Sequence, residues 1–366
     1  MDLARYSRQL ALPGFGARAQ TRLRESRVLV IGAGGLGSSV IPALAAAGVG
    51  TLGIVDDDTV ELSNLHRQHI HGVDDIGRRK VDSAADTVKA LDPGVVVVPH
   101  PARLTATDAL ALFGRYDLVL DGSDNFATRY LANDAAILAD IPLVWGAVAQ
   151  YGGQVGVSWA SRGPHYRDLF PVPPAPGSVL SCAEGGVLPT VVGVVGSLMA
   201  TEAIKILTGV GRPLIGRVTV FDGLAGTFAE LEYGRDPDGE AVTALADYEA
   251  FCGLRSGATP DSSDAASVTP HELASLLGEA ITLIDVREPW EVEIGALPGA
   301  VATPLAALEN ALPRLDPSRP VIAYCHHGVR SAQARDLLVS RGFDARHLAG
   351  GIDAWSRDVD ATVARY

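Results

Sequence analysis

The sequence predicts an α/β protein built as two units joined by a linker, and three observations lead there. Up to about residue 233, short β-branched runs alternate with Ala- and Leu-rich stretches. Strands alternating with helices make a mostly parallel sheet covered on both faces. Residues 256–267 then read Ser-Gly-Ala-Thr-Pro-Asp-Ser-Ser-Asp-Ala-Ala-Ser, small, polar and interrupted by proline, a composition that packs poorly and suits a flexible linker. A second, smaller α/β alternation follows. A chain of 366 residues is long enough for both units to bury a core. The expected boundaries are 1–254 for the first unit, 255–268 for the linker and 269–366 for the second.

In the first unit the candidate strands are Arg27–Ile31, Thr51–Asp56, Val95–His100, Asp117–Asp121 and Pro142–Ala149. Val28–Val55 contains no charged residue, yet seven glycines interrupt it and its pattern passes from β-branched to Ala-rich and back. That is strand, turn, helix and strand in a buried core, not a membrane span. Gln154–Trp159, an apolar helix around Thr190–Leu207, and the pair Arg217–Asp222 and Phe228–Tyr233 complete the unit. Strands so closely spaced predict an antiparallel extension of the sheet. The second unit offers strands Ile281–Val286 and Pro320–Cys325 and a helix over Ser331–Ser340.

With 47% hydrophobic residues the chain reads as soluble and globular, and its net charge of -13 argues against a nucleic-acid surface and against docking on acidic lipid. Three cysteines, Cys182, Cys252 and Cys325, are too few and too scattered for a disulfide framework. A reducing compartment, the cytoplasm, is therefore expected, and a cysteine role is more readily catalytic than structural. The start, Met1-Asp2-Leu3-Ala4-Arg5, shows no apolar signal core.

Ile31-Gly32-Ala33-Gly34-Gly35-Leu36-Gly37 follows the first strand and opens a helix. Gly32, Gly34 and Gly35 let the backbone approach a phosphate, and the helix N-terminus turns free N–H groups toward its charge. Asp56, at the end of the second strand, is placed for a ribose hydroxyl. A dehydrogenase binding NAD has the same glycines and the same acid. Ser63-Asn64-Leu65-His66-Arg67-Gln68 and Asp75-Ile76-Gly77-Arg78-Arg79-Lys80-Val81 add two cations, Arg67 and Lys80, and Asp121-Gly122-Ser123-Asp124-Asn125 adds a carboxylate where the fourth strand ends. Cations with an acid able to hold Mg2+ suit a triphosphate better than a nicotinamide. Any one of these charges alone reads as a surface residue; the ordered set does not.

Together with Arg5-Tyr6-Ser7-Arg8-Gln9, these segments resemble the MoeB/ThiF family, bacterial relatives of ubiquitin-activating enzymes, over the first 233 residues or so. The resemblance implies a Rossmann-like adenylation domain in which Gly35, Asp56, Ser63, Asn64, Leu65, His66, Arg67, Lys80, Asp124 and Asn125 contact ATP, with Asp124 near Mg2+. It also implies a homodimer in which Arg8 reaches into the partner subunit's site. In such a site a carrier protein's terminal glycine carboxylate attacks the α-phosphorus, expels pyrophosphate and leaves an acyl-adenylate, while Arg8, Arg67 and Lys80 stabilise the phosphate charge.

Ser181-Cys182-Ala183-Glu184-Gly185-Gly186 precedes the long apolar helix in a stretch rich in glycine and proline. It lies where relatives carry a cysteine able to attack the adenylate. Cys182 is read in that role, forming a thioester or later cleaving an acyl-disulfide; the plainer reading is a small buried hydrophobe. Elsewhere the chain departs from the family. Relatives commonly hold a structural zinc with two Cys-x-x-Cys pairs, whereas the matching positions read His165-Tyr166-Arg167-Asp168 and Glu249-Ala250-Phe251-Cys252. One thiolate among mixed ligands is far from closure by four cysteines, so no structural zinc is expected and Cys252 is read as a packing residue.

In the second unit, Asp285-Val286-Arg287-Glu288, Gly295-Ala-Leu-Pro-Gly-Ala300, Cys325-His326-His327-Gly328-Val329-Arg330-Ser331 and Gly350-Gly351-Ile352-Asp353-Ala354-Trp355 form an ordered set. It resembles the rhodanese family over residues 269–358. A cysteine between a strand and a helix N-terminus is ringed by backbone N–H donors, and Arg330 with the helix dipole favours an anion there, so Cys325 is read as the sulfur-carrying residue. His326 and His327 are expected to line the substrate mouth. The competing reading is a degenerate rhodanese fold kept for binding alone.

The two resemblances together imply one reaction sequence. The first unit adenylylates a ubiquitin-like sulfur carrier protein ending in Gly-Gly, of the MoaD, ThiS or CysO type. A Cys325 persulfide then attacks that carbonyl, and reduction of the acyl-disulfide releases a thiocarboxylate. The linker raises the effective concentration of Cys325 at the adenylate. Molybdopterin-type carriers are the favoured clients, with carriers for thiamine, cysteine or tRNA thiolation as alternatives, and a cysteine desulfurase or thiosulfate loads Cys325. Two readings of other classes compete. An NAD-dependent oxidoreductase fused to a rhodanese module would prefer NAD to Mg-ATP, and a non-catalytic carrier-binding scaffold would support no carrier-dependent ATP–pyrophosphate exchange.

Overall fold

A computed structural model describes residues 3–174, 185–252 and 266–365, which fall into two compact units, 1–256 and 257–366. In the first unit the strands are Arg27–Ile31 (β1), Thr51–Val55 (β2), Val96–His100 (β3), Leu118–Asp121 (β4), Leu143–Ala149 (β5), Gly152–Ser158 (β6), Arg217–Asp222 (β7) and Thr227–Glu232 (β8). They form one sheet in the order β3-β2-β1-β4-β5-β6-β7-β8. Strands β1 to β5 pair in parallel and β5 to β8 pair antiparallel, so the antiparallel extension is present. Four of the five residues of β1 and of β2 are buried, as expected of parallel strands covered on both faces.

The helices of this unit are Leu3–Leu10 (α1), Gly16–Glu25 (α2), Gly35–Ala47 (α3), Lys80–Leu91 (α4), Ala109–Phe113 (α5), Phe126–Ala139 (α6), Tyr166–Leu169 (α7), Pro189–Thr208 (α8) and Tyr248–Phe251 (α9). Helices α3 and α8 approach closely because glycines line their contact. A Cβ on Gly196 would stand 2.6 Å from that of Ser39, and one on Gly35 would stand 3.1 Å from Val192. Among the described residues α8 is the one helix long and apolar enough to cross a membrane. Instead Val191, Val192, Val195, Met199 and Ala203 are buried in the core with α3 and the sheet, where each larger side chain contributes about 1.5–3 kcal/mol.

The second unit is a parallel sheet in the order β11-β10-β12-β13-β9. Its strands are Ser267–Val268 (β9), Thr282–Asp285 (β10), Val301–Ala302 (β11), Val321–Tyr324 (β12) and Ala345–Leu348 (β13). Its helices are Pro270–Leu276 (α10), Pro289–Ile294 (α11), Leu308–Ala311 (α12), Val329–Ser340 (α13) and Gly351–Asp358 (α14). Residues 255–265 of the expected linker lie outside the described residues. Its last two residues, Ser267 and Val268, are a correction: they pair with His347 and Leu348 as an edge strand. Two residues are too short a run to show a period of two, so only the neighbour β13 defines them. Among the described residues, four apolar clusters form, each built from residues of one unit.

Candidate nucleotide and sulfur-transfer sites

Strand β1 lies between β2 and β4, where the strand order reverses, and the carboxyl ends of strands at such a point are where sheets of this kind bind ligands. The glycine-rich loop is drawn tight there. Gly32 sits at φ 91°, and a Cβ there would be 3.1 Å from the Gly122 carbonyl oxygen; a Cβ on Gly37 would be 2.1 Å from the Gly32 carbonyl oxygen. Ala33 is held from two sides. Its N–H donates to Asp56 Oδ2 at 2.8 Å, and its carbonyl lies 2.9 Å from His71 Nε2, whose Nδ1 is 2.8 Å from Ser83 Oγ. Burial pushes His71 below the usual imidazole range, so it fixes the loop as a neutral group.

The second oxygen of Asp56 accepts the Asp58 N–H at 2.9 Å. Burial pushes the Asp56 carboxyl up, and the Lys80 charge acts against this. Lys80 opens α4, is buried, and places Nζ 2.7 Å from Asp58 Oδ2. Asp58 was not singled out from the sequence, although the run Asp56-Asp57-Asp58 held the signal: one carboxylate oxygen from each lies within 4.8 Å of the others. In the Ser63–Arg67 segment, Ser63 and His66 are exposed and Asn64 and Leu65 half-buried. Arg67 Nη1 donates to the Ser63 carbonyl at 3.1 Å and lies 2.9 Å from His66 Nε2. The Arg67 stem passes 3.9 Å from where a Gly35 Cβ would be, and Gln68 Nε2 passes 3.6 Å from the same point on Gly34. The structure thus brings Gly34, Gly35, Asp56, Lys80 and Arg67 around one loop.

Asp124 is exposed on the turn after β4. Asn125 caps α6, its Oδ1 accepting the Thr128 N–H at 2.9 Å, so that oxygen serves the helix. Beneath the turn is Arg129, a residue whose place in the site the sequence does not announce. It is buried, donates from Nη2 to the carbonyls of Ser123 at 2.9 Å and Gly146 at 3.1 Å, and places Nε 3.6 Å from Asp121. Asp121 in turn accepts from the Ser123 N–H at 2.9 Å and its hydroxyl at 2.6 Å. Nothing in Ala127-Thr128-Arg129-Tyr130 tells which way that arginine faces. Arg8 is exposed on α1, and Cys182 lies outside the described residues.

In the second unit Cys325 is buried in the turn between β12 and α13. The Gly328 N–H lies 3.1 Å from its Sγ, and Ser331 Oγ lies 3.5 Å away. Arg330 is a correction to the reading that it lends its charge to the sulfur. Its guanidinium is buried and forks onto Glu291, with both bonds at 2.7 Å, because a carboxylate buried in α11 needs a cation. The sulfur is therefore faced by backbone N–H at the start of α13. His326 and His327 stack with ring centroids 3.9 Å apart, and burial pushes His326 down to about 4, so it is neutral at physiological pH. Val329 beside them is exposed.

The Gly350-Gly351 pair fastens this turn from behind. Ile352 N donates to the Cys325 carbonyl at 2.9 Å and Asp353 N to the His326 carbonyl at 3.1 Å. Gly351 sits at φ 61°, and a Cβ there would be 2.2 Å from the His326 carbonyl oxygen. Gly351→Ala is expected to cost at least about 3 kcal/mol and to lower the melting of the second unit by more than roughly 10 °C in calorimetry. A loss below about 2 °C would mean that the turn yields and is not what holds Cys325.

The four positions matching the family's zinc ligands flank two short helices: His165 precedes α7 and Asp168 lies within it, while Glu249 lies in α9 and Cys252 follows it.

Comparison with known proteins extends the geometry. A model of the ThiF family matches residues 6–241, and a model of the rhodanese-like domain matches residues 269–358. The probable adenylyltransferase/sulfurtransferase MoeZ of Mycobacterium tuberculosis is 47% identical, covering 100% of this chain and 95% of its own. The sulfur carrier protein adenylyltransferase of Thermus thermophilus is 49% identical, covering 69% of this chain and 98% of its own. Among solved structures, E. coli MccB overlays 67% of this chain and 74% of its own with a TM-score of 0.59 at 20% identity, a likeness of fold.

Proposed function

Because this chain belongs to the ThiF family and carries a rhodanese-like domain behind that match, we propose that it uses ATP to adenylylate the C-terminal Gly-Gly carboxylate of a ubiquitin-like sulfur carrier protein and then transfers sulfur to it from a Cys325 persulfide. It is an adenylyltransferase and sulfurtransferase. One observation carries the reading: a single chain joins a tight phosphate-type glycine loop, braced by Asp56, to a buried thiol 3.1 Å from the N–H that opens a helix.

In this reading the loop and the start of α3 take the phosphates, and Asp56, its oxygens already oriented by Ala33 and Asp58, accepts from a ribose hydroxyl. Arg67 and Lys80 offset phosphate charge. The exposed carboxylate of Asp124 is an oxygen donor that fits Mg2+, which when bound neutralises part of the triphosphate. The carrier carboxylate forms a bond to the α-phosphorus and the bond to the β-phosphate oxygen breaks, releasing pyrophosphate. The outer sulfur of the Cys325 persulfide then bonds to the acyl carbon as the bond to AMP breaks. A thiol attacks the Cys325 sulfur of the acyl-disulfide and the thiocarboxylate leaves. With Cys182 as that thiol, a Cys182–Cys325 disulfide remains and a dithiol reductant returns the two electrons. The persulfide forms as the Cys325 thiolate bonds to the outer sulfur of a cysteine desulfurase persulfide, releasing the desulfurase thiol, or to that of thiosulfate, releasing sulfite. The protein acts in the cytoplasm as a homodimer, with Arg8 serving the partner subunit's site, and its clients are molybdopterin-type carriers.

The test is to offer the full chain Mg-ATP, a sulfur donor and each available Gly-Gly carrier. Carrier-dependent ATP–pyrophosphate exchange is expected, with a mass gain on the carrier equal to one oxygen replaced by sulfur. Absence of exchange with every carrier would overturn the proposal.

A further inference from the structure

The family resemblance implies a structural zinc between the segments around α7 and α9, and Asp168, Glu249 and Cys252 there do not fit one. Asp168 spends both oxygens on backbone N–H groups, Oδ2 on His165 at 2.7 Å and Oδ1 on Asp236 at 2.9 Å. Glu249 is half-buried and pairs with Arg103 at 3.4 Å. Cys252, the one thiol among the four positions, is packed into an apolar cluster, and closure by four cysteines is not available. Among the described residues, the one group of three or more acids, histidines or cysteines whose ligand atoms gather within 4.8 Å is Asp56, Asp57 and Asp58.

Between the two segments stands Arg167 instead. Its Nε and Nη2 donate to Asp134 Oδ1 and Oδ2, both at 2.7 Å. Tyr248 donates its hydroxyl to the same Oδ2 at 2.7 Å, and Asn133 Nδ2 donates to Oδ1 at 3.0 Å. The guanidinium lies over the rings of Tyr130 at 5.0 Å and Phe251 at 4.6 Å. We infer that Arg167, Asp134 and Tyr248 form a metal-free clasp that joins α7 and α9, the two segments that would otherwise share a zinc, through α6. An arginine fork suits such a junction because it stays protonated, matches a carboxylate with two parallel bonds, and stacks its faces on aromatic rings. Asn133 extends the clasp by accepting the Tyr166 N–H at 3.0 Å. The helix so fastened, α6, is the one that Asn125 caps and that carries Arg129 under the Asp124 turn.

The experiment uses the full chain and does not depend on any carrier. Zinc content and melting are measured with and without EDTA, and hydrogen exchange is followed at residues 248–252. Zinc far below one per chain and an EDTA-independent Tm are expected. Arg167→Met is expected to lower the melting of the first unit by roughly 10 °C and to speed exchange at 248–252, with Arg167→Lys recovering only part because it lacks the fork. One zinc per chain whose removal melts the protein would overturn the inference, as would an Arg167→Met chain with unchanged Tm. Should Arg167→Met fail to fold, Tyr248→Phe decides, since it removes one hydrogen bond and little volume. Faster exchange at 248–252 supports the clasp and unchanged exchange refutes it. Pyrophosphate exchange is scored separately, so failure of the proposed activity leaves this result readable.

Discussion

Replacing Cys325 with alanine leaves carrier-dependent ATP–pyrophosphate exchange near its wild-type rate and lowers thiocarboxylate formation by at least roughly 10³-fold. The asymmetry follows from where the residue sits. Cys325 belongs to the second unit and holds no part of the glycine loop, while its Sγ is the atom approached by the Gly328 N–H and the Ser331 hydroxyl. Alanine keeps the backbone of the turn, and Ile352 and Asp353 continue to donate to its carbonyls, so the loss is of the sulfur atom and not of the fold. Intact mass of the carrier reads the second step and labelled pyrophosphate reads the first. A thiocarboxylate still formed by the alanine variant would assign sulfur delivery to another group.

Asp124→Ala is expected to act on the other half, lowering exchange by about 10²–10³-fold, or roughly 3–4 kcal/mol of transition-state stabilisation. Its side chain is exposed and the turn beneath it is carried by Arg129, Asp121 and Ser123, so stability should stay within about 0.5 kcal/mol of wild type. Thiosulfate sulfurtransferase activity of Cys325, measured without carrier, serves as the internal control and should not change. Intact exchange in this variant would remove Asp124 from the nucleotide site. A variant whose first unit melts well below wild type would point to unfolding.

Much of the fold was legible because parallel strands covered on both faces read as uninterrupted apolar runs, and β1 and β2 bury four of their five residues. The two-residue strands β9 and β11 offered no pattern to read. Within the sites, the residues that announce themselves are the glycines, Asp56, Arg67, Lys80, Asp124 and Cys325, each set in an ordered motif. Those that hold them were not legible, because the pairing is made in space. Lys80 meets Asp58 across 22 positions, Ala33 meets His71 across 38 and Arg330 meets Glu291 across 39. Arg330 shows the cost of reading a charge by its neighbours in the chain: next to the cysteine in sequence, it answers to a buried carboxylate on another helix.

Among the described residues, the apolar clusters of the first unit draw on residues 15–252 and those of the second on 268–363. Each half can therefore decay on its own schedule. A lineage that acquires its sulfur by another route is free to let the tail erode, or to discard it, without retuning the pocket that activates the carrier. Fusion in one polypeptide then serves delivery of the sulfur to the activated carrier.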